Sequence, residues 1–133
     1  MRLRTGSLPR LAAALGAALL APGAAALDLS GPLSDSTTGP IPPGVHHVVA
    51  SIEVPAGQTL TIQDGAILKF GSFLTFDVRG TLNAIGTPGT GIQFTSIHDD
   101  TAGGDTNGNG GATVPAPGNW RGVVVHGTAT ACA

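Results

Sequence analysis

The chain has 133 residues, six Lys and Arg against eight Asp and Glu, and a net charge of −2. That length allows one domain, and so few cations exclude a nucleic-acid binder that works by phosphate neutralisation. The single cysteine, Cys132, excludes an internal disulfide framework, so stability must come from a core, from metal or from assembly.

The first predicted element is a secretory signal peptide over residues 1–26, with a helical apolar run. Arg2, Arg4 and Arg10 form a basic flank, and Leu11 to Ala21 (LAAALGAALLA) is apolar and uncharged. Pro22 and Gly23 break the run, and Ala24-Ala25-Ala26 supplies small residues before a cut. The run is shorter than the ~20 residues a membrane span needs, so no span is expected after cleavage. Cleavage after Ala26 leaves Leu27 first and an acidic product: Lys69, Arg79 and Arg121 face eight carboxylates, a net charge of −5. The expected location is the cell surface or the extracellular space.

Residues 27–44 are rich in Ser, Thr, Pro and Gly and read as an extended linker closed by the turn Ile41-Pro42-Pro43-Gly44. From Val45 the pattern changes. VHHVVASIEV, TLTI, AILKF, FLTFDV, TLNAI and GIQFTSI are short runs of β-branched and apolar residues, several of them alternating, with glycines between. Short alternating strands with glycine turns predict an all-β fold. A longer period overlies them. Thr59-Leu60-Thr61-Ile62 matches Thr81-Leu82-Asn83-Ala84 at an offset of 22, and Ile67 to Phe70 matches Ile92 to Thr95 at an offset of 25. Repeats of this length are units of a solenoid, here a partial parallel β-helix over 45–133 with three short strands per turn.

The stretch DDTAGGDTNGNGG, Asp99 to Gly111, stands apart. Within a long loop at 98–118, Asp105-Thr106-Asn107-Gly108-Asn109-Gly110 fits the first half of a calcium loop. Ca²⁺ takes six to eight oxygens, which carboxylates, amides and carbonyls supply. Asp99, Asp100, Asp105, Asn107 and Asn109 are therefore candidate Ca²⁺ ligands. Against an EF-hand, the twelfth position is Ala116 instead of a bidentate Glu. The alternative is a polar loop shaped by its Asn-Gly and Gly-Gly steps, with acids facing water.

Other chemistry-bearing residues give no catalytic set, and none is assigned. His46 and His47 are adjacent and point to opposite faces of a strand, which suits an edge or surface better than a shared zinc. His98 lies beside Asp99 and Asp100, and His126 is isolated. Lys69, Arg79 and Arg121 each stand alone. Trp120, the sole Trp, is expected to pack against a coil edge.

IEVPAGQTLTIQDGAILKFG, VRGTLNAIGT, IQFTSIHDD, GGDTNGNGG and PAPGNWRGVVV, in this order from about Ser51 to Val125, resemble the opening coils of bacterial secreted right-handed parallel β-helix repeat proteins of the pectin-lyase-like superfamily. The resemblance implies the N-terminal part of such a fold and an exported location. It implies no activity, because the enzymes of that superfamily place their chemistry on later coils. The expected function is a surface or extracellular scaffold or adhesion-type segment, a fragment of a longer protein, facing polysaccharide or other cell-surface components. The alternatives are the opening of a polysaccharide lyase or hydrolase, or a small calcium-stabilised binding module. Open coil edges also predict self-association.

Overall fold

The computed structural model describes residues 25–132, and the signal peptide expected over 1–26 lies almost wholly outside them. The described residues form nine strands and no helix. They are β1 (Asp28–Pro32), β2 (Gly44–Val54), β3 (Thr59–Ile62), β4 (Ala66–Phe70), β5 (Thr75–Val78), β6 (Thr81–Ala84), β7 (Gln93–Ser96), β8 (Gly122–Val125) and β9 (Thr130–Cys132).

Every pairing is parallel and joins one turn to the next, so the chain winds into a β-solenoid of about three turns. One sheet has six strands: the path β7-β4-β2-β5-β8, with β1 on β2. The other has three, in the order β3-β6-β9. The long strand β2 serves two columns. Its first half pairs with β4 and its second half with β5. Later turns divide that role between two short strands, so each carries three, as expected.

Register stacks like on like. Ile52, Phe76 and Val123 form one inward ladder; Val54, Val78 and Val125 form a second. Leu60 lies on Leu82, and Ile62 on Ala84, the predicted offset of 22. The other offset is corrected: Ile67 pairs with Gln93, not Ile92, at 26. A slip of one residue turns every side chain to the other face. At 26, Leu68 meets Phe94; at 25 it would meet the polar Gln93.

Residues 27–44 are more than a linker. β1 pairs with β2, Ile41 bridges to Ile62, and Leu29, Leu33 and Ile41 are all in the core. Isolated apolar residues among Ser and Pro show no period, yet one inward residue per column suffices to seal the first turn. Inside the coil, Gly80 is sterically required. A Cβ there would stand 2.2 Å from the Pro55 carbonyl oxygen and 2.3 Å from that of Gln58.

Candidate functional site

The long loop interrupts the third turn between β7 and β8, and it folds back over the outer face of the coil. That face carries the row His47, Lys69 and Thr95, in register across β2, β4 and β7. Lys69 is fully buried. Its Nζ donates to the Gly104 carbonyl at 2.8 Å. A neighbouring part of the loop lies close over β2, since a Cβ on Gly103 would stand 2.4 Å from Val45 Cγ2. Gly103 and Gly104 both have positive φ, 76° and 85°, which glycine adopts without steric cost.

Thr95 Oγ1 donates to Asp99 Oδ2 at 2.7 Å, and Thr101 donates to Asp99 Oδ1 through its backbone N–H at 3.1 Å and through its hydroxyl. The hydroxyl of Thr101, then that of Thr95, holds the Asp99 carboxyl below the usual carboxylate range against desolvation, with a smaller contribution from the Lys69 charge. Asp105 is the centre of a tight turn. Its oxygens accept from the N–H groups of Gly108 at 2.8 Å, Asn109 at 3.1 Å and Gly110 at 2.8 Å. The Gly110 N–H is the largest cause lowering its pKa, and Lys69 again adds to the effect. Lys69 is thus the cation that both flanking acids feel.

Asn107 and Asn109 complete the same turn. Asn107 Oδ1 accepts from the Asn109 N–H at 3.2 Å, and Asn109 Oδ1 from Gly111 and Ala112, each at 3.1 Å. Four of the five candidate calcium ligands therefore have their side-chain oxygens engaged by the loop's own donors. Asp100 differs: its Oδ1 is buried without a partner, as is Thr106 Oγ1. Among the described residues no group of three or more His, Cys, Asp or Glu is placed to hold a metal ion. A Ca²⁺ ion taking these oxygens would have to compete with the loop's own N–H and O–H donors for them.

The loop's return is anchored by aromatic stacking. The Trp120 ring lies on Phe70 with centroids 4.1 Å apart and planes at 14°. Phe73 N–H donates to Asn119 O at 2.8 Å, and Arg121 Nε donates to Phe73 O at 3.0 Å. Phe73 is itself unusual, at φ 64° and 67% exposed.

His126 and Arg79, which read as solitary, have partners as Lys69 and Arg121 do, and His46 is placed differently from its reading. His126 Nε2 lies 2.9 Å from Asp77 Oδ1 on the outer face of β5, and Arg79 pairs with Glu53 at 3.3 Å. His46, expected at a surface or edge, is fully buried and bonded at both ring nitrogens. The Asp77–His126 pair is half of an acid–base arrangement, with no nucleophile bonded to it. Two surface grooves, of about 420 and 380 Å³, are lined by Pro43, Thr61, Asp64, Asn83 and neighbours, and by Pro32, Ser34, Gln58 and neighbours. Neither contains the loop acids or the Asp77–His126 pair.

The role of Lys69 is not legible in the sequence. The strand AILKF shows only that Lys69 faces outward, since Leu68, Lys69 and Phe70 alternate; the loop laid over that face is what buries it, and a buried ammonium must be paired. Comparison with protein-family models, curated proteins and solved structures finds no significant match.

Proposed function

We propose that the chain is an exported, non-catalytic β-solenoid scaffold of the cell surface or extracellular space, akin to the secreted parallel β-helix proteins of the pectin-lyase-like superfamily. In this reading the chain is a piece of a longer solenoid, and the last described turn offers its open strand edges to a further coil or to a second copy.

The supporting observation is the contrast between the two ends. At the first turn, Leu29 and Leu33 are each 3% exposed. Pro32, in β1, and Pro40, Pro42 and Pro43 offer no N–H to an incoming strand. At the last turn the inward ladders end uncovered, with Val123 38% and Val125 51% exposed. The strands β7, β8 and β9 carry no charged residue and no proline, two of the usual protections of an edge. For the isolated residues 27–133 the partner of that edge is a second copy, tail to tail, because the other end of the coil resists strand addition. A twofold contact of that kind is self-complementary and closed.

Sedimentation of residues 27–133 over a range of concentrations tests the reading. A dimer that Val124→Lys converts to monomer is expected, since a lysine on an outward edge position blocks pairing. A monomer at every concentration sinks it. The rival, a polysaccharide lyase or hydrolase, draws on the Asp77–His126 pair. Prolonged incubation with an acidic polysaccharide is expected to release no shortened product.

A further inference from the structure

We infer that the Ala26–Leu27 bond is the processing site of this chain, and that the amino group freed there is seated on His46. The sequence places small residues, Ala24 to Ala26, before that bond. Ala25 and Ala26 are exposed and lie outside any strand. At Leu27 the backbone becomes fixed. Its N–H donates to His46 Nδ1 at 3.1 Å, its carbonyl accepts from the His47 N–H at 2.9 Å, and β1 begins at the next residue.

The imidazole is an unusual anchor. His46 is fully buried, and its Nε2 lies 2.8 Å from the Pro42 carbonyl oxygen. A carbonyl only accepts, so Nε2 carries the proton and Nδ1 presents its lone pair. The partner of that lone pair is Leu27 N. An orphaned buried acceptor costs about 1–3 kcal/mol. A cut beyond Leu27 would orphan it. A cut after Ala26 keeps the bond. Hydrolysis by the exporting cell's signal peptidase adds one water across the amide, leaving a carboxylate on Ala26 and an amine on Leu27. The amine still donates where the amide N–H donated. The first residue of the processed chain is then a structural part of the first turn.

The test uses the full chain, expressed in an exporting bacterial host. Intact mass and N-terminal sequencing of the exported form are expected to give residues 27–133. Export with a cut elsewhere leaves the export reading standing and overturns this inference. Export without a cut overturns it too. Seating is read separately by acylating the processed chain with an amine-reactive ester and locating the label by fragment mass, which separates the Leu27 amine from Lys69. A net hydrogen bond predicts labelling of the Leu27 amine about tenfold slower than labelling of the terminal Gly amine in a folded chain carrying Gly-Ser before Leu27. Equal rates overturn the seating. The comparison needs no His46 variant, so a variant that fails to fold does not affect it.

Discussion

The ammonium of Lys69 and the carbonyl of Gly104, 35 residues apart in sequence, meet at 2.8 Å on the outer face of the coil. This bond ties the long loop to β4 and places a positive charge where Asp99 and Asp105 both respond to it. Lys69→Met keeps the stem and deletes the donor. It is expected to lower unfolding free energy by about 1–3 kcal/mol, the range for a charged donor removed from a buried acceptor. Urea unfolding followed by Trp120 fluorescence measures it, and limited proteolysis should show new cuts within 97–121. An unchanged midpoint and cleavage pattern would remove Lys69 from this role.

Calcium is expected to change little. The side-chain oxygens of Asp99, Asp105, Asn107 and Asn109 already accept hydrogen bonds from the loop, and Lys69 supplies a cation. Millimolar Ca²⁺ against chelator should therefore leave Tm within about 1 °C, since a ligand stabilises only as far as it binds the folded state. A rise of several degrees would mean that the folded chain binds Ca²⁺ and would overturn this expectation.

Acid should unfold the chain partly through three carboxylates. Asp64, Asp99 and Asp105 all titrate below the ordinary carboxylate value; for Asp64 the chief cause is the Thr87 hydroxyl. A group held low in the folded state binds fewer protons there than when unfolded. Its contribution is complete above about pH 4 and is lost as pH falls through the folded value. Their contribution to Tm should hold steady from neutral to about pH 5 and fall below about pH 4. In Asp105→Asn the fall should be shallower. An identical acid limb in that variant would contradict the assignment.

Two glycines should respond differently to alanine. At Gly80 a Cβ meets two backbone oxygens that cannot rotate away, and overpacking of that kind costs about 3 kcal/mol or more. At Gly57 nothing lies within 4 Å, and the cost is only that of φ 80°, about 1–2 kcal/mol. Denaturant midpoints of Gly80→Ala and Gly57→Ala give the order directly. Equal midpoints would mean that the corner at Gly80 relaxes.

Phe73 holds a left-handed backbone while mostly exposed. Phe73→Gly relieves that strain and should raise stability by about 1 kcal/mol. A loss instead would mean that its ring packs in a way its exposure conceals. Loss of self-association with stability intact would make the ring part of a contact surface.

Much of the coil was legible because β-strand chemistry is local. The offset of 22 between TLTI and TLNA appears as the pairing of β3 with β6, since both runs alternate in phase. The offset of 25 missed by one because Ile67 and Ile92 are alike as letters, whereas the fold selects which face Leu68 and Phe70 bury. The loop was visible as composition, and its acids were visible as possible ligands. The direction of their oxygens was not, because hydrogen bonds such as those from Gly108 and Gly110 to Asp105 depend on backbone path.

By itself the sequence determined the fold class, the glycine-marked corners and the place where the regular coil is interrupted, because side-chain alternation and turn chemistry act over a few residues. Only the tertiary structure decided that Leu29, Leu33 and Ile41 belong to the core, that His126 faces Asp77, and that Lys69 lies under the loop. Each of those depends on which turn lies beside which. Residues 35 or 49 positions apart become neighbours only when the coils stack.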